Sequence, residues 1–443
     1  MAQDKRSSTK KDQVSLAGAL SIGIGGMVGG GIFAVLGLAA TLGGGATPIA
    51  FLIAGIVALL TAYSYAKLSV TFPSRGGTVI FIDKAFGRSF LTGSANNLLW
   101  ISYIVALALY AVAFGNYAAT FFGSQTGPIL LHALISAGIV IPALLNLLSA
   151  ELVSKTEAFV VLVKLAILTA VIVFGIRGIN TANLGPANWE PLPQIIAAGM
   201  LIFIAYEGFE LIANAAEDVK DLERTLPRAF YGSVISVIVL YVLIAIVTVG
   251  TLSPPQIQQA ADYALAQAAK PSLGQVGFTL VAVSAVLATF SAINATLYGS
   301  ARLSYVIAKE GELPAVIERK VWNQPIGGLL ITVVLALLLA NLFNLERIST
   351  MGSAGFLIIF AIVNAANYVQ AAATGASRWL AGLGVVACAG ALVVLIWRTL
   401  QTGPAGVLIL AGMVGLAALS EFLYIKFLKH PDQVERVSLQ RRS

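Results

Sequence analysis

The sequence is poor in the residues from which disulfides, metal centres and soluble surfaces are built. Cys388 is the one cysteine among 443 residues, so an intrachain disulfide is excluded. The two histidines, His132 and His430, lie far apart in the chain and are not expected to form a metal cluster. Charged residues make up 11% of the chain, whereas soluble domains carry about 25%. Together with the 58% hydrophobic content, this predicts an integral membrane protein.

Long apolar runs follow one another along almost the whole chain. A membrane-spanning helix needs about 20 apolar residues, and twelve runs reach or approach that length. We therefore predict an all-α membrane protein with twelve spans. The runs are 15–41, 46–70, 91–121, 128–148, 157–177, 192–213, 229–250, 277–306, 327–344, 351–370, 379–398 and 404–428.

The net charge of +7 is distributed unevenly between the two sides of the membrane. With the N-terminus inside, twenty Lys and Arg residues fall in cytoplasmic segments, and four fall outside. Because cytoplasmic loops are enriched in Lys and Arg, this predicts that both termini are cytoplasmic. The four outside are Arg177, Lys270, Arg347 and Arg398. The positive charge is thus explained by topology, without a nucleic-acid partner.

The N-terminal segment is predicted to be a cytoplasmic tail. Residues 1–14 are polar, and the apolar run that follows lacks a small-residue cleavage site. We therefore expect no removable signal peptide. Residues 429–443 are predicted to form the cytoplasmic C-terminal tail, and no sizeable soluble domain is expected.

Two of the predicted spans contain helix-breaking sequences. The first has six glycines in the nine residues from Gly23 to Gly31, and each glycine costs a helix about 1 kcal/mol relative to alanine. We expect this stretch to unwind and to line a cavity, because unwound backbone cannot face lipid. Close helix packing through small residues is the alternative. The sixth span is interrupted by Gly208 between Glu207 and Glu210.

The spacing of these breaks predicts an inverted repeat. Residues 15–177 hold five spans with the break in the first, and residues 192–370 hold five more with the break again in the first. An odd number of spans turns the second half upside down relative to the first. Paired interrupted helices in two inverted halves indicate the binding site of a secondary transporter. Residues 379–428 would add the last two spans.

Lys164 is a lone lysine in the apolar run 159–174. A charge at the centre of a membrane helix costs roughly 2.5–3.5 kcal/mol on insertion scales and is a functional candidate by default. The positions three and four residues away are aliphatic, and they are Val160, Val161, Ile167 and Leu168. Burial without a carboxylate favours the neutral amine, which suits a proton carrier. The alternatives are pairing with a glutamate of another helix and snorkelling to an interface.

At this point the sequence resembles a known family. Gly25-Gly-Met-Val-Gly-Gly-Gly-Ile-Phe33 is similar to the first-helix signature of the amino acid/polyamine/organocation transporter superfamily. Ala205-Tyr-Glu-Gly-Phe-Glu210, followed by Asn214-Ala-Ala-Glu-Asp-Val219, resembles its sixth-helix signature. Within the superfamily the sequence resembles archaeal proton-coupled amino acid transporters of broad specificity. The resemblance runs from about residue 15 to 325.

A zwitterionic cargo needs N–H donors for its carboxylate and acceptors for its ammonium. A half-helix that begins after a break presents free N–H groups, and we expect Gly29, Gly30 and Gly31 to let a carboxylate approach them closely. The resemblance implies that carbonyls near Met27, Ile204 and Glu207 hold the ammonium. The predicted site also includes Gly208 and aromatic candidates for shape and gating, which are Phe203, Tyr206 and Phe209.

The resemblance also implies roles for the charged residues. The Lys164 ammonium would occupy the place of sodium in sodium-coupled relatives, bound to the carbonyl of Gly25 or a neighbour and to the hydroxyl of Ser291. Glu210 would sense protons or cationic cargo. For Glu207 and Glu210 the alternative is that the carboxylate accepts hydrogen bonds from exposed backbone N–H groups.

The sequence thus predicts a secondary active transporter of the cell membrane that imports amino acids by proton symport with alternating access. Its partners would be amino acid, protons and the lipid bilayer, with no cofactor and no metal; the oligomeric state is open. One alternative is an exchanger or permease for cationic amino acids or polyamines. A transporter or channel for inorganic cations is another. A membrane-embedded enzyme is disfavoured, because no His-Glu-x-x-His or nucleophile-elbow motif is present.

Overall fold

The computed structural model describes residues 13–123, 126–148, 150–309, 313, 320, 321 and 324–428. Within them, nine long apolar helices, two bent helix pairs and one shorter apolar helix supply the twelve predicted spans. The all-α membrane architecture is confirmed. The helices in chain order are α1 (Leu16–Met27), α2 (Gly30–Gly43), α3 (Thr47–Thr71), α4 (Thr78–Phe86), α5 (Phe90–Ala119), α6 (Pro128–Leu148), α7 (Ala150–Gly175), α8 (Leu192–Leu201), α9 (Leu211–Asn214), α10 (Leu222–Thr251), α11 (Pro254–Gln259), α12 (Ala264–Lys309), α13 (Ile326–Leu342), α14 (Leu345–Val369), α15 (Ala371–Thr374), α16 (Arg378–Thr402) and α17 (Pro404–Leu423).

Short connections complete the described chain. Two antiparallel strands of two residues each, β1 (Lys320–Val321) and β2 (Gln324–Pro325), precede α13. The predicted tails, residues 1–14 and 429–443, lie outside the described residues apart from residues 13 and 14.

The first span is broken between α1 and α2, which meet at 44°. The backbone leaves the helix at Val28 and Gly29, and α2 begins at Gly30. The break is therefore narrower than the glycine-rich stretch that we expected to unwind. Gly23 remains helical because it serves close packing, since an added Cβ would lie 2.7 Å from the Ser233 hydroxyl oxygen. Small-residue packing thus explains part of the glycine content.

The sixth span is broken between α8 and the segment Phe203–Asn214, which meet at 51°. After a single 3₁₀ turn the chain becomes extended at Glu207, and Gly208 follows with φ of 117°. This positive φ suits glycine, because a Cβ would be strained there. The predicted break at Gly208 is confirmed.

The two breaks are in direct backbone contact. A Cβ added to Gly208 would lie 2.4 Å from the carbonyl carbon of Gly26 and 2.7 Å from the amide nitrogen of Met27. Neither glycine can carry a side chain without moving the two main chains apart. The division into repeats 15–177 and 192–370 remains a prediction.

On the side of the membrane where α1 begins, here called the N-terminal side, α1 is tied to the end of the sixth span. Val14 and Val219 form a parallel bridge. The Val14 N–H donates to the Asp218 carbonyl at 2.7 Å, and the Lys220 N–H donates to the Val14 carbonyl at 3.0 Å. The Asp218 carboxylate also accepts from Arg75 in the loop after α3 at 3.0 Å.

On the opposite side, the end of α2 is held by the loop between α7 and α8. The Gly45 N–H donates to the Asn188 carbonyl at 2.8 Å. Gly44 adopts a φ of 55°, and a Cβ there would lie 2.4 Å from the same carbonyl oxygen. Glycine is required by both conformation and space.

Helix α5 forms the centre of the molecule, and the last two spans lie at its periphery. The apolar window of α5 is 89% buried, compared with 28% for α16 and 22% for the last span. The side chains of α5 are therefore placed to contact both breaks.

Candidate functional site

A large cavity lies beside the two breaks. The volume of this cavity, measured as the space that the centres of water molecules can occupy, is about 420 Å³. Its walls come from α1, α5, α7, the sixth span and α12, and they include Gly25, Gly26, Tyr110, Val161, Glu207, Ser291 and Thr296. The first span contributes α1 to this lining, so the cavity lies in the half of the membrane on the N-terminal side.

Lys164 reaches the first span from α7. Its side chain is 2% exposed, and its ammonium donates to the Gly25 carbonyl over 3.0 Å. Ser291 lines the same cavity as Gly25. The structure thus brings a buried basic group to the last turn of α1, immediately before the break.

The two carboxylates of the sixth span are held by tyrosines of α5. The Tyr110 hydroxyl donates to Glu207 at 2.5 Å, and the Tyr103 hydroxyl donates to Glu210 at 2.8 Å. Glu210 also accepts from the Gly208 N–H at 2.8 Å. Glu210 therefore fixes the turn at Gly208, as the backbone-capping alternative described, while Glu207 faces the large cavity.

The three consecutive glycines at the first break pack closely against other helices. A Cβ at Gly30 would lie 2.4 Å from the Tyr110 ring, and one at Gly31 would lie 2.9 Å from the Cα of Ala205. At Gly29 the Cβ of Ala292 would be 2.9 Å away. Gly30 and Gly31 begin α2, and the first N–H groups of a helix have no acceptor within that helix.

Main-chain groups at the two breaks already have hydrogen-bond partners from other helices. The Tyr241 hydroxyl of α10 lies 2.6 Å from the Met27 carbonyl oxygen and 3.1 Å from that of Ala205. The Ile204 N–H donates to the Ser353 hydroxyl of α14 at 3.0 Å. Tyr241 therefore joins the two breaks through their main chains.

The aromatic candidates of the sixth span pack into the core. The Phe203 ring lies edge-on to Phe360, with centroids 5.9 Å apart, and the Phe209 ring contacts the same residue at 5.3 Å. Tyr206 donates its hydroxyl to the Phe51 carbonyl at 2.8 Å. All three candidates are buried.

The sequence-based prediction of the site did not include three tyrosines, namely Tyr103, Tyr110 and Tyr241. Tyr103 and Tyr110 are seven residues apart, which places them on one face of a helix. That spacing was a readable signal, but the direction in which the face points cannot be read from one sequence. Within the described residues, no group of three or more His, Cys, Asp or Glu side chains could hold a metal ion.

Comparison with known proteins adds the identity of the family. Residues 14–419 match the family described as amino acid permease. An uncharacterized protein of Methanocaldococcus jannaschii is 36% identical over 391 residues, which cover 88% of this chain and 89% of that protein. An inner membrane transport protein of Escherichia coli is 36% identical over 79% of this chain and 82% of its own length. The chloroplastic cationic amino acid transporter 9 of Arabidopsis thaliana is 29% identical over 69% of this chain and 57% of its own length.

Proposed function

The chain belongs to the amino acid permease family, and from this premise we propose that it imports amino acids by proton symport with alternating access. Its relatives are transporters rather than enzymes. The protein is accordingly a multi-pass membrane transporter of amino acids. The coupling to protons and the residues that carry it are argued below.

The proposed amino acid site lies where the large cavity meets the two breaks. The carboxylate would bind the N–H groups at the start of α2, at Gly29, Gly30 and Gly31, where the helix dipole favours an anion. The ammonium would bind carbonyls near Met27, Ile204 and Glu207. The backbone contact between Gly26 and Gly208 supports this placement, because it brings both sets of groups together. Phe203, Tyr206 and Gly208 would shape the site.

The contact between Lys164 and Gly25 is the observation that carries the coupling proposal. A protonated Lys164 donates to the first span and holds α1 against α7. Loss of the proton would weaken that bond and release α1, so the two conformations would differ in their affinity for the proton. Such a difference is what coupling requires. In the proposed cycle Ser291 supplies a second acceptor from α12, and Glu210 senses protons or cationic cargo.

The orientation follows from the charge distribution. We place the protein in the cell membrane with both termini in the cytoplasm, because Lys and Arg are concentrated on that side. The large cavity then lies in the cytoplasmic half, and the structure corresponds to an inward-facing state.

The test is uptake of radiolabelled neutral amino acids into proteoliposomes, with an acidic outside or with equal pH. We expect Lys164→Ala to lose gradient-driven uptake by about tenfold or more, the scale of a coupling free energy, while binding is partly retained. Lys67→Ala is the matched control, because Lys67 also donates to a backbone carbonyl, that of Gly375 at 3.2 Å, at an exposed site. Normal accumulation by Lys164→Ala would overturn the lysine mechanism.

A second function is favoured by the position of Glu207 in the wall of the large cavity. An ionised carboxylate there would suit arginine, ornithine or a polyamine, and the protein would then be an exchanger or permease. This function predicts uptake that ignores the proton gradient and depends on amine inside the vesicle. The same vesicles, loaded or not with unlabelled arginine, decide between the two functions.

A further inference from the structure

Glu207 stands between the large cavity and a second, smaller one. The volume of the small cavity open to the centre of a water molecule is about 40 Å³, and roughly 10–15 Å³ of such volume holds one water. The wall that the two cavities share consists of Glu207, Leu211, Ala295 and Thr296. Glu207 thus lines both cavities.

The small cavity leads from this buried carboxyl group to the surface on the N-terminal side. Glu207 is 3% exposed, whereas Asn214 at the far end is exposed. Gly76, in the loop before α4, also lines it. Tyr103 and Thr78 are among its polar lining residues, and their hydroxyls contact Glu210 and Tyr65 respectively.

From this geometry we propose that Glu207 is a second protonatable site, distinct from Lys164, whose proton reaches the N-terminal side through the small cavity. The cargo would use the large cavity, so the two routes are separate. The assignment of the large cavity to cargo rests on the function proposed above. The exchange of the Glu207 proton through the small cavity does not depend on that function.

The hydrogen bond from Tyr110 links the protonation state of Glu207 to the contact between α5 and the sixth span. An ionised Glu207 accepts a charge-assisted hydrogen bond from Tyr110, and such bonds are roughly twice as strong as neutral ones. Proton binding converts the carboxylate to a neutral acid and weakens the tie between α5 and the sixth span. The titratable groups around the Glu207–Glu210 pair are Tyr103 and Tyr110 on α5, Tyr65 on α3, Tyr241 on α10 and, beyond Gly25 of α1, Lys164 on α7.

Infrared spectroscopy of the purified full chain tests the site. A protonated carboxyl group gives a carbonyl band that shifts when its proton is exchanged for deuterium. We expect one such band to appear on acidification, to be lost in Glu207→Gln and to persist in Glu210→Gln. A band unaffected by Glu207→Gln would overturn the proposal.

The route is tested by obstructing each cavity in turn. Gly299 lines the small cavity, and a Cβ there would meet nothing within 4 Å, so we expect Gly299→Val to narrow the cavity with space available for its Cβ. We expect deuteration of the Glu207 band to slow by about tenfold, as for a group whose opening to water is hindered. Gly412→Val is the control, because a Cβ at Gly412 also meets nothing within 4 Å.

The large cavity is obstructed by Ser21→Cys labelled with a bulky maleimide, since Ser21 is in its wall. Deuteration should then keep its parental rate. If the label slows deuteration as much as Gly299→Val, or if Gly299→Val has no effect, the separate route is overturned. These readouts need no transport, so a failure of proton-driven uptake would count against symport and leave the Glu207 result standing.

Discussion

At the scale of single residues, polar groups in apolar helices obtain their partners from other helices. Lys164 of α7 donates to Gly25 of α1, and Glu207 accepts from Tyr110 of α5. Within a membrane an unpaired polar group is costly, so each of these bonds ties two spans together. Any change of such a residue therefore acts on helix contacts as well as on chemistry.

Gly208 provides the sharpest test of backbone constraint. We expect Gly208→Ala to lower stability by about 1–3 kcal/mol, because φ is 117° and the added Cβ would collide with Gly26. The melting temperature of the detergent-solubilised protein measures the loss. Gly412→Ala is the control and should be neutral or slightly stabilising, since its Cβ meets open space. Equal melting temperatures for the parent and Gly208→Ala would contradict the described turn.

The sequence was informative about individual residues to different degrees. Lys164 stood out because no other charge occurs in its apolar run. Tyr110 did not, because a tyrosine in an apolar helix packs against lipid as readily as against a carboxylate. Gly30 was singled out for access to the cargo, whereas its visible constraint is the Tyr110 ring. A single sequence shows that a residue is small, but it does not show which neighbouring groups require it to be small.

At the scale of elements, the halves of the two broken spans that lie on the N-terminal side, α1 and the segment Phe203–Asn214, are joined at both ends. Gly26 and Gly208 meet at the breaks, and Val14 pairs with Val219 at the membrane surface. The hydrogen bond to Asp218 also raises the pKa of the Arg75 guanidinium, so this exposed link stays charged. Helix α1 and the end of the sixth span are thereby arranged to move together.

This joint movement can be tested at Val14. Val14→Pro removes the N–H that donates to Asp218. We expect hydrogen–deuterium exchange of the segments 16–27 and 219–222 to rise by about fivefold, the equivalent of roughly 1 kcal/mol for one backbone hydrogen bond. Leu16→Pro is the matched control, because Leu16 is the first residue of α1, a position that tolerates proline. Unchanged exchange in Val14→Pro would mean that the bridge contributes nothing to the coupling of the two segments.

The elements were predictable to the extent that hydropathy defines them. The twelve spans and the positions of both breaks followed from apolar runs and glycine content. The width of the first break did not, because Gly23 and Gly26 remain helical under the packing of Ser233 and Gly208. Propensity alone overestimates unwinding when tertiary contacts favour the helix.

At the scale of the whole molecule, the structure exposes one half of the transport path. Ser21 on α1 is exposed and lines the large cavity, whereas Leu36 on α2 is fully buried. In the orientation proposed from the charge distribution, the accessible half faces the cytoplasm. The orientation is a prediction from charge, whereas the side on which the cavity lies relative to α1 could be read only from the structure.

Labelling with a membrane-impermeant maleimide tests this assignment. We expect Ser21→Cys to react in inside-out vesicles and Leu36→Cys to react poorly in either orientation. The parent should be silent, because Cys388 is fully buried. Thr181→Cys, in the exposed loop on the opposite side, is the control and should react in right-side-out vesicles. Labelling of Ser21→Cys from outside in right-side-out vesicles would contradict the proposed orientation.

The contact between Gly45 and Asn188 has a consequence for how relatives should be compared. It is made by an amide hydrogen and a carbonyl oxygen, groups that nearly every amino acid carries. This bond therefore does not depend on the side chain at residue 188, which separately donates to the Ala182 carbonyl, and correlated substitutions would not reveal the contact. Among relatives, we expect the constraint to be visible only at Gly44 and Gly45, where any larger residue would meet the facing main chain. A backbone contact of this kind depends on the shape of the main chain, so alignments of side chains understate it.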